Sequence, residues 1–229
     1  MRTAASPHSY LTRGGLAVLI IRRAVVRIHP GPLDERADDF FEELYADAGE
    51  DFERIPWAHG APRPALVRWL DAHPPRQGTT ALVIASGLGD DAEELAARGC
   101  RVSAFDLSPT AIATAKERFP NSSVDYRVAD LFELPPEWRD AFEIVVEVQT
   151  IQSIPPEHHE AAIRAVTDTV APRGRLLVRA AMRREDEPAP RRPWPLTPAE
   201  LHAFEREGFT PLERCDEGVF AHIDYERDG

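Results

Sequence analysis

The 229-residue sequence contains little cysteine, a single lysine and no long apolar run. Two cysteines, Cys100 and Cys215, are too few for a disulfide framework or a zinc cluster, so we expect a protein of the reducing cytoplasm without a metal site. No apolar stretch approaches the roughly 20 residues that span a bilayer, which argues against a membrane protein. The 39 acidic residues outnumber the 27 basic ones, giving a formal charge of −12. Such a surface repels phosphate backbones, so we expect no nucleic-acid partner.

The first 32 residues differ in composition from the rest of the chain, because they contain five arginines and no acidic residue. Their apolar run Leu16–Ile21 is too short for a secretion signal, and two arginines stand where a cleavage site would follow. We expect residues 1–35 to be a basic extension that is disordered or translated from upstream of the true start codon. The native chain would then begin near Leu33–Ala37, and residues 36–229 would form one folded domain.

Helical patterns and short apolar runs alternate after this extension. Such runs are typical of buried parallel strands, and we predict strands at Ala81–Ala85, Arg101–Asp106, Val124–Asp130, Phe142–Val148 and Arg175–Ala181. The last of these follows a predicted helix, Pro156–Val170, and a turn. The alternation predicts an α/β fold, namely a Rossmann-like, doubly wound, mostly parallel sheet with helices on both faces. Phe209–Cys215 and Val219–Tyr225 would add a C-terminal antiparallel hairpin, and a capping box at Thr197 would begin the helix before it.

Ligands of such sheets bind at the carboxyl ends of the strands, so the residues after each strand are the first candidates for a site. The loop after Ile84 contains Gly87 and Gly89, which allow a sharp turn and a close approach of the backbone to a ligand. Asp106 ends the next strand, where a carboxylate can accept hydrogen bonds from both ribose hydroxyls. An equally simple interpretation makes Asp106 a carboxylate at the start of the helix that follows Ser108.

Polar residues also follow the third and fourth predicted strands. Asp130 stands where an acceptor could meet an adenine amino group, and Glu147, Gln149 and Gln152 would face a reaction centre. The simpler interpretation of Glu147 is a strand-end carboxylate that is bonded to the backbone. The histidine pair at 158–159 begins a later helix, and we expect it to be exposed rather than catalytic.

Taken in order, these motifs resemble the class I S-adenosylmethionine-dependent methyltransferases. The resemblance rests on the order and spacing of the strings ALVIASGLGDDAEELAARGCRVSAFDLSPTAIATAKERFP, VDYRVADLFELP, FEIVVEV, APRGRLLV and LTPAELHAFEREGF. The segment WAHGAPRPAL before the first of these is similar to the thiopurine and tellurite-resistance-like branch, which acts on small molecules. The resemblance therefore implies S-adenosylmethionine as cofactor, a small-molecule methyl acceptor, and a monomer or homodimer.

The resemblance also implies which residues contact the cofactor: Trp57, Ala85, Ser86, Gly87, Gly89, Asp106, Leu107, Asp130, Leu131 and Glu147. In this assignment Ser86–Gly89 would hold the methionine part of the cofactor, and Asp106 would bind the ribose. Asp130 and Leu131 would hold the adenine, while Trp57 would close the pocket from the N-terminal side.

The catalytic residues implied by the resemblance are Glu147 and Gln149. An in-line displacement from an activated sulfonium mainly requires alignment of the reacting atoms. A general base is needed only when the acceptor is protonated at the working pH. We take Glu147 as the first candidate for that base.

Two positions depart from the family pattern, which opens this loop with an acidic residue and three alternating glycines. Val83 stands at the acidic position and Ala85 at the first glycine. We expect the methyl group of Ala85 to be tolerated if its φ is negative. The departures favour one alternative to methyl transfer, a non-catalytic relative with a degenerate cofactor pocket. A second alternative is an NAD-dependent oxidoreductase, because the glycine pattern at residues 87–92 with Asp106 also fits a dinucleotide-binding fold. The second is disfavoured because Asp90 and Asp91 would lie beside the pyrophosphate.

The segment Met182–Pro198 combines five prolines, four arginines and Trp194. Two interpretations of this segment are equally good. It could form a lid in which an arginine meets an anionic substrate and Trp194 covers an apolar one. It could instead be a solvated crossover with Trp194 pinned to the body of the protein.

Overall fold

The computed structural model describes residues 20–21, 24–25, 37–49, 51–188 and 192–229. The short strands β1 (Ile20–Ile21) and β2 (Ala24–Val25) pair antiparallel. Everything else in the predicted basic extension lies outside the described residues, and its boundary at residue 35 stays a prediction. Among the helices that are described, none is both long and apolar enough to cross a membrane.

Seven strands form the central sheet. Their bounds are β3 Thr80–Ile84, β4 Arg101–Asp106, β5 Asp125–Val128, β6 Phe142–Val148, β7 Val170–Ala181, β8 Phe209–Glu217 and β9 Phe220–Arg227. The order across the sheet is β5-β4-β3-β6-β7-β9-β8. Strands β3 to β7 run parallel, whereas β9 pairs antiparallel with both β7 and β8. The predicted mostly parallel α/β sheet with a C-terminal antiparallel hairpin is therefore confirmed.

The α-helices of the described residues are α1 Ala37–Ala48, α2 Pro64–Ala72, α3 Asp90–Ala97, α4 Pro109–Arg118, α5 His159–Thr167 and α6 Pro198–Arg206. Side-chain caps begin two of them at the predicted positions. The Ser108 hydroxyl accepts a hydrogen bond of 3.0 Å from the Ala111 N–H at the start of α4. Thr197 and Glu200 form the predicted capping box of α6. Both caps satisfy backbone N–H groups that have no partner within the helix.

Both faces of the sheet are apolar, because successive side chains of a strand point to opposite sides. Leu82, Val145 and Leu176 belong to the core that includes α5 and α6. Ala81 and Val83 belong to the core that includes α2, α3 and α4. Helices thus cover both faces, which confirms the doubly wound arrangement. The carboxyl ends of the parallel strands remain as the edge where loops can bind a ligand.

The chain between β6 and β7 differs from its prediction. A 3₁₀ turn, Pro156–His158, precedes α5, and α5 ends at Thr167 rather than at Val170. Strand β7 begins at Val170 and includes the segment predicted as a turn, and its pairing with β6 is irregular there. Arg173 has a φ of +60°, and Pro172 has no N–H to donate to the ladder. The segment is therefore an irregularity inside a strand rather than a separate turn.

The expectation that both histidines at 158–159 are exposed is wrong for His159. Its side chain is 2% exposed. The Nδ1 atom lies 2.6 Å from Glu200 Oε1, and Nε2 lies 2.8 Å from the carbonyl oxygen of Ile154. Because Glu200 belongs to α6, the His159 ring joins α5 to α6 within the core. Its role is structural.

Candidate active site

The loop Ser86–Gly89 joins β3 to α3 and is held by backbone hydrogen bonds. The Ser86 N–H donates to the Phe105 carbonyl at 2.8 Å, and the Gly89 N–H donates to the Ser86 carbonyl at 3.0 Å. Gly87 has a φ of +54° and Gly89 a φ of +90°, a region that only glycine adopts without strain. A Cβ atom on Gly89 would also collide with the Tyr126 hydroxyl. The loop is therefore a tight cradle that requires both glycines.

Ala85 adopts the same left-handed conformation as these glycines. Its φ is +47°, so the condition under which its methyl group would be tolerated, a negative φ, is not met. A non-glycine residue in this region costs about 1–2 kcal/mol, and Ala85 is exposed at the carboxyl edge of β3.

Asp106 lies at the end of β4, directly beside the loop. It is 6% exposed, and its two oxygens accept from the Gly87 N–H at 2.8 Å and the Ser108 N–H at 3.0 Å. Burial raises the pKa of Asp106, and the hydrogen bonds from Ser108 and Gly87 oppose that effect. The carboxylate thus ties the loop to the start of α4, where Leu107 is partly buried next to it. Its role toward a ribose stays a prediction.

Asp130 and Leu131 follow β5 on the same edge. The Ala129 N–H donates to the Asp106 carbonyl at 3.1 Å, which brings the ends of β4 and β5 together. Asp130 Oδ1 accepts from the Phe132 N–H at 2.9 Å, and Leu131 is 7% exposed. The structure therefore places the predicted ribose and adenine residues next to each other in space.

Glu147 lies near the end of β6, in register with Ile84 of β3. Its side chain is fully buried, and burial raises its pKa to about 7. Its Oε1 atom accepts from the Thr150 N–H at 2.6 Å and the Ile151 N–H at 3.1 Å. The simpler interpretation, a carboxylate bonded to the backbone, is thus correct for one oxygen. The second oxygen, Oε2, is buried and has no hydrogen-bond partner among the described residues.

Two further polar atoms at this edge are buried without a hydrogen bond in the described part of the chain. They are the Ser86 hydroxyl, just after β3, and the Thr150 side-chain oxygen, just after β6. Because β3 and β6 are neighbours in the sheet, these atoms and Glu147 Oε2 belong to one edge. Buried polar groups normally find partners. Unused donors and acceptors beside a glycine cradle fit a polar ligand with a nucleoside part.

Gln149 and Gln152 are held by the neighbouring strand β7. Gln149 has a φ of +62°, its N–H donates to the Arg179 carbonyl at 2.8 Å, and its side-chain oxygen accepts from the Arg179 guanidinium. The Gln152 side-chain oxygen accepts from the Ala181 N–H at 2.6 Å. Gln149 is thus held against Arg179 of β7, and its role in methyl transfer stays a prediction, whereas the Gln152 side chain fastens the loop after β6 to β7.

Helix α1 covers the cradle, a contact that the sequence did not predict. The Tyr45 hydroxyl lies 3.0 Å from the place where a Cβ of Gly87 would stand. Trp57 Nε1 donates to that hydroxyl at 2.7 Å, so Trp57 reaches the loop through Tyr45. Glu42 accepts hydrogen bonds from the side chains of Ser108 and Thr110 at the start of α4. The only sequence signal was the apolar stripe of α1, which does not identify a covered ligand site.

The segment after β7 is pinned to the body of the protein near Trp194. The Trp194 side chain is 5% exposed, and the backbone N–H of Trp194 donates to the Gln152 carbonyl at 2.6 Å. The guanidinium of Arg192 lies 4.7 Å from the ring centre of Phe40 and 5.4 Å from that of Trp194. Arg191, another arginine considered for a lid, lies outside the described residues. The segment thus meets α1 above the edge of the sheet.

Comparison with known proteins supports a methyltransferase domain. A family model described as a methyltransferase domain matches residues 81–174. The ubiquinone biosynthesis O-methyltransferase of Pseudomonas paraeruginosa is 27% identical over 117 residues, which are 50% of this chain and 50% of that protein. The chain thus spans about half the length of the curated relatives it matches.

Solved structures match over most of the chain. The 1,6-didemethyltoxoflavin-N1-methyltransferase of Burkholderia thailandensis, with bound 1,6-didemethyltoxoflavin and S-adenosylhomocysteine, has a TM-score of 0.67 at 16% identity and covers 98% of this chain and 100% of its own. A TehB-like S-adenosylmethionine-dependent methyltransferase of Corynebacterium glutamicum has a TM-score of 0.61 at 18% identity, with coverages of 83% and 100%. Identities this low show the fold, which is the Rossmann-like fold of methyltransferases.

The strand order places the glycine cradle and the carboxylates at or after the ends of β4, β5 and β6 on one edge of the sheet. Together with the methyltransferase-domain model that matches residues 81–174, this arrangement supports the predicted resemblance to the class I S-adenosylmethionine-dependent methyltransferases.

Proposed function

We propose that the protein is a cytoplasmic enzyme that transfers a methyl group from S-adenosylmethionine to a small molecule. The observation that carries the proposal is the cradle Ser86–Gly89, whose Gly87 N–H is tied to the buried carboxylate of Asp106. In Rossmann-like folds a glycine turn with an acidic residue at the end of the next strand is the arrangement that binds a nucleoside. The unpaired polar atoms beside it are available to the rest of such a ligand.

The cofactor-binding residues are those at the carboxyl ends of the strands. Ser86–Gly89 would hold the methionine part, Asp106 the ribose, and Asp130 with Leu131 the adenine. S-adenosylmethionine, when bound, supplies a methyl carbon that the positive sulfonium activates. An acidic surround suits that charge, since the attraction between opposite charges grows as water is excluded.

Glu147 is proposed as the general base for an acceptor that is protonated at the working pH. Its Oε2 atom is free to accept a proton, while the Thr150 and Ile151 N–H groups fix Oε1 and so orient the carboxylate. With a pKa of about 7, the side chain is matched to proton transfer near neutral pH. Gln149, held by Arg179, would position the acceptor beside it.

The acceptor is proposed to be a small molecule. The curated relatives are named ubiquinone biosynthesis O-methyltransferase, so compounds with a hydroxyl group are the first to screen. The formal charge of −12 favours such an acceptor over a nucleic acid. A monomer or homodimer stays our expectation.

Calorimetric titration of the full chain tests the cofactor assignment. S-adenosylmethionine and S-adenosylhomocysteine should bind at micromolar concentrations, binding should be lost in Asp106→Ala, and it should persist in Glu133→Ala, which removes an exposed carboxylate. Failure of both compounds to bind, with affinity gained in Ala85→Gly, would instead identify a non-catalytic relative with a degenerate pocket. Binding of NAD alone would identify an oxidoreductase.

A further inference from the structure

Arg179 stands at the carboxyl edge of the sheet, next to the residues proposed for methyl transfer. Its guanidinium donates to the Gln149 side chain and lies 3.7 Å from the ring centre of Phe220. On the neighbouring strand β9, His222 is its direct partner. Arg179 is separated from the glycine cradle by β6, which places it two strands, or about 10 Å, from β3.

Arg63 approaches the same place from α2. It directly precedes α2, whose Trp69 donates to Asp224 of β9 at 2.6 Å, so this helix covers β9. The Arg63 N–H donates to Asp91 Oδ1 at 2.7 Å, and its guanidinium donates to the Trp57 carbonyl at 2.8 Å. The Asp91 carboxylate is therefore bonded to the backbone of Arg63 and not to its charged group.

Neither guanidinium lies within 4.0 Å of a carboxylate in the described part of the chain, although other partly buried arginines are paired. Arg118 lies 2.7 Å from Asp90, and Arg175 is paired with Asp224. Burial lowers the pKa of Arg179 to about 10, the positive charge of Arg63 adds to this effect, and the carboxylates of Glu217, Asp91 and Glu147 oppose it. The two guanidiniums therefore lie near carboxylates without a direct ion pair to any of them, which leaves their donors open to an anion.

His222 adds a polar atom without a hydrogen bond at the same place. Its Nε2 atom is buried and unpartnered among the described residues. Glu217 Oε2 lies 3.4 Å from that atom without the geometry of a hydrogen bond, while the other oxygen of that carboxylate, Oε1, accepts from Arg68. The ring nitrogen is thus available to a ligand.

We propose that Arg63, Arg179 and His222 form a binding site for an anionic group, a carboxylate or a phosphate, of the methyl acceptor. The assignment rests on the proposed function, because it identifies the substrate class of the same site. An anion bound here would place the rest of the acceptor toward Gln149 and Glu147. Arginine provides a planar fork of donors that matches either anion. Arg179 lies two strands from the glycine cradle, which favours the acceptor over the carboxylate of the cofactor as the source of the charge, whereas Arg63 is bonded to Asp91 and Trp57 closer to that cradle.

Anion binding can be measured without knowing the acceptor. Benzoate and inorganic phosphate are titrated into the full chain by calorimetry, with and without saturating S-adenosylhomocysteine. We expect millimolar binding of at least one anion, weakened tenfold or more in Arg179→Gln and Arg63→Gln. Arg179→Lys should retain part of the affinity, and Arg76→Gln, an exposed arginine at the opposite edge of the sheet, should bind as the unchanged protein does. Melting temperatures confirm that each variant is folded.

A second titration identifies the source of the anion. S-adenosylhomocysteine carries a carboxylate that 5′-methylthioadenosine lacks, so Arg179→Gln should bind both compounds as tightly as the unchanged protein does. If the variant loses affinity for S-adenosylhomocysteine alone, the site belongs to the cofactor and the proposal is overturned. The absence of anion binding to the unchanged protein would overturn it as well. Anion binding that depends on Arg179 and Arg63 could be found while neither S-adenosylhomocysteine nor 5′-methylthioadenosine binds. In that case the anion site stands and the proposed methyl transfer fails.

Discussion

Replacing Glu147 by glutamine should change the pH dependence of folding stability in a way that can be worked out from its surroundings. The carboxyl group is fully buried, one oxygen accepts two backbone hydrogen bonds, and the other has no partner among the described residues. Glutamine has nearly the same shape and can keep the acceptor at Oε1. It cannot ionise, so the substitution removes one titration and little packing.

The magnitude follows from the difference in pKa between the folded and unfolded states. Burial raises the pKa of Glu147 from an ordinary value of 4.5 to about 7. The folded state therefore holds its proton more tightly, and the stability from this group is fully present below pH 4.5 and is lost as the pH rises through 7. Between pH 5 and pH 8 the unchanged protein should lose about 2–3 kcal/mol of unfolding free energy relative to Glu147→Gln.

Urea unfolding at intervals between pH 5 and pH 8 measures this difference. Glu133→Gln, which changes an exposed carboxylate, serves as the matched control and should run parallel to the unchanged protein. The reasoning is refuted if the stability difference between Glu147→Gln and the unchanged protein does not vary with pH. The same pKa requires that methyl transfer, once an acceptor is known, rise with pH to a plateau above about 7 in the unchanged protein alone.

Three further substitutions test other parts of the structure. Ala85→Gly should raise the unfolding free energy by about 1 kcal/mol, because φ is +47° at this position. The control Ala92→Gly, inside α3, should lower the unfolding free energy. Urea unfolding measures both changes, and shifts of the same sign would contradict the prediction. His159→Ala should cost about 2 kcal/mol or more, because it removes the buried ring whose nitrogens lie within hydrogen-bond distance of Glu200 and of the Ile154 carbonyl. Urea unfolding measures this cost, and a neutral result would argue against the bridge. Trp194→Ala should cost about 3 kcal/mol of unfolding free energy, because the side chain is 5% exposed. Unchanged turnover and unchanged affinity for the acceptor in this variant would remove the lid interpretation.

The periodicity of apolar residues and the polar residues at the strand ends predicted most of the fold and the residues that line the carboxyl edge of the sheet. Both depend on short-range patterns: the apolar run before Ala85, the caps at Ser108 and Thr197, and the acidic residues that end consecutive strands. These patterns are written in neighbouring residues, since side chains alternate in strands and caps act within one helical turn.

The remaining features depend on contacts between distant residues. Tyr45 meets the glycine loop although 42 residues separate it from Gly87, and His159 meets Glu200 across 41 residues. Nothing in the local composition specifies either partner. The positive φ of Ala85 could not be predicted for a different reason. Hydrogen bonds of the surrounding loop fix its backbone conformation, and the alanine stays in that strained conformation.

The contact between α1 and the glycine loop couples the docking of this helix thermodynamically to the cradle. Its Glu42 and Tyr45 contact the start of α4 and the cradle, so the docking of this helix and the occupancy of the cradle are two equilibria that share one surface. Linkage requires each to change the other by the same factor. A ligand that stabilises the docked state of α1 must bind more weakly to a chain without α1. The loss in binding free energy equals the free energy by which the ligand increases the protection of α1 from hydrogen exchange. The amide groups of α1 would then report, from outside the pocket, which compounds enter it.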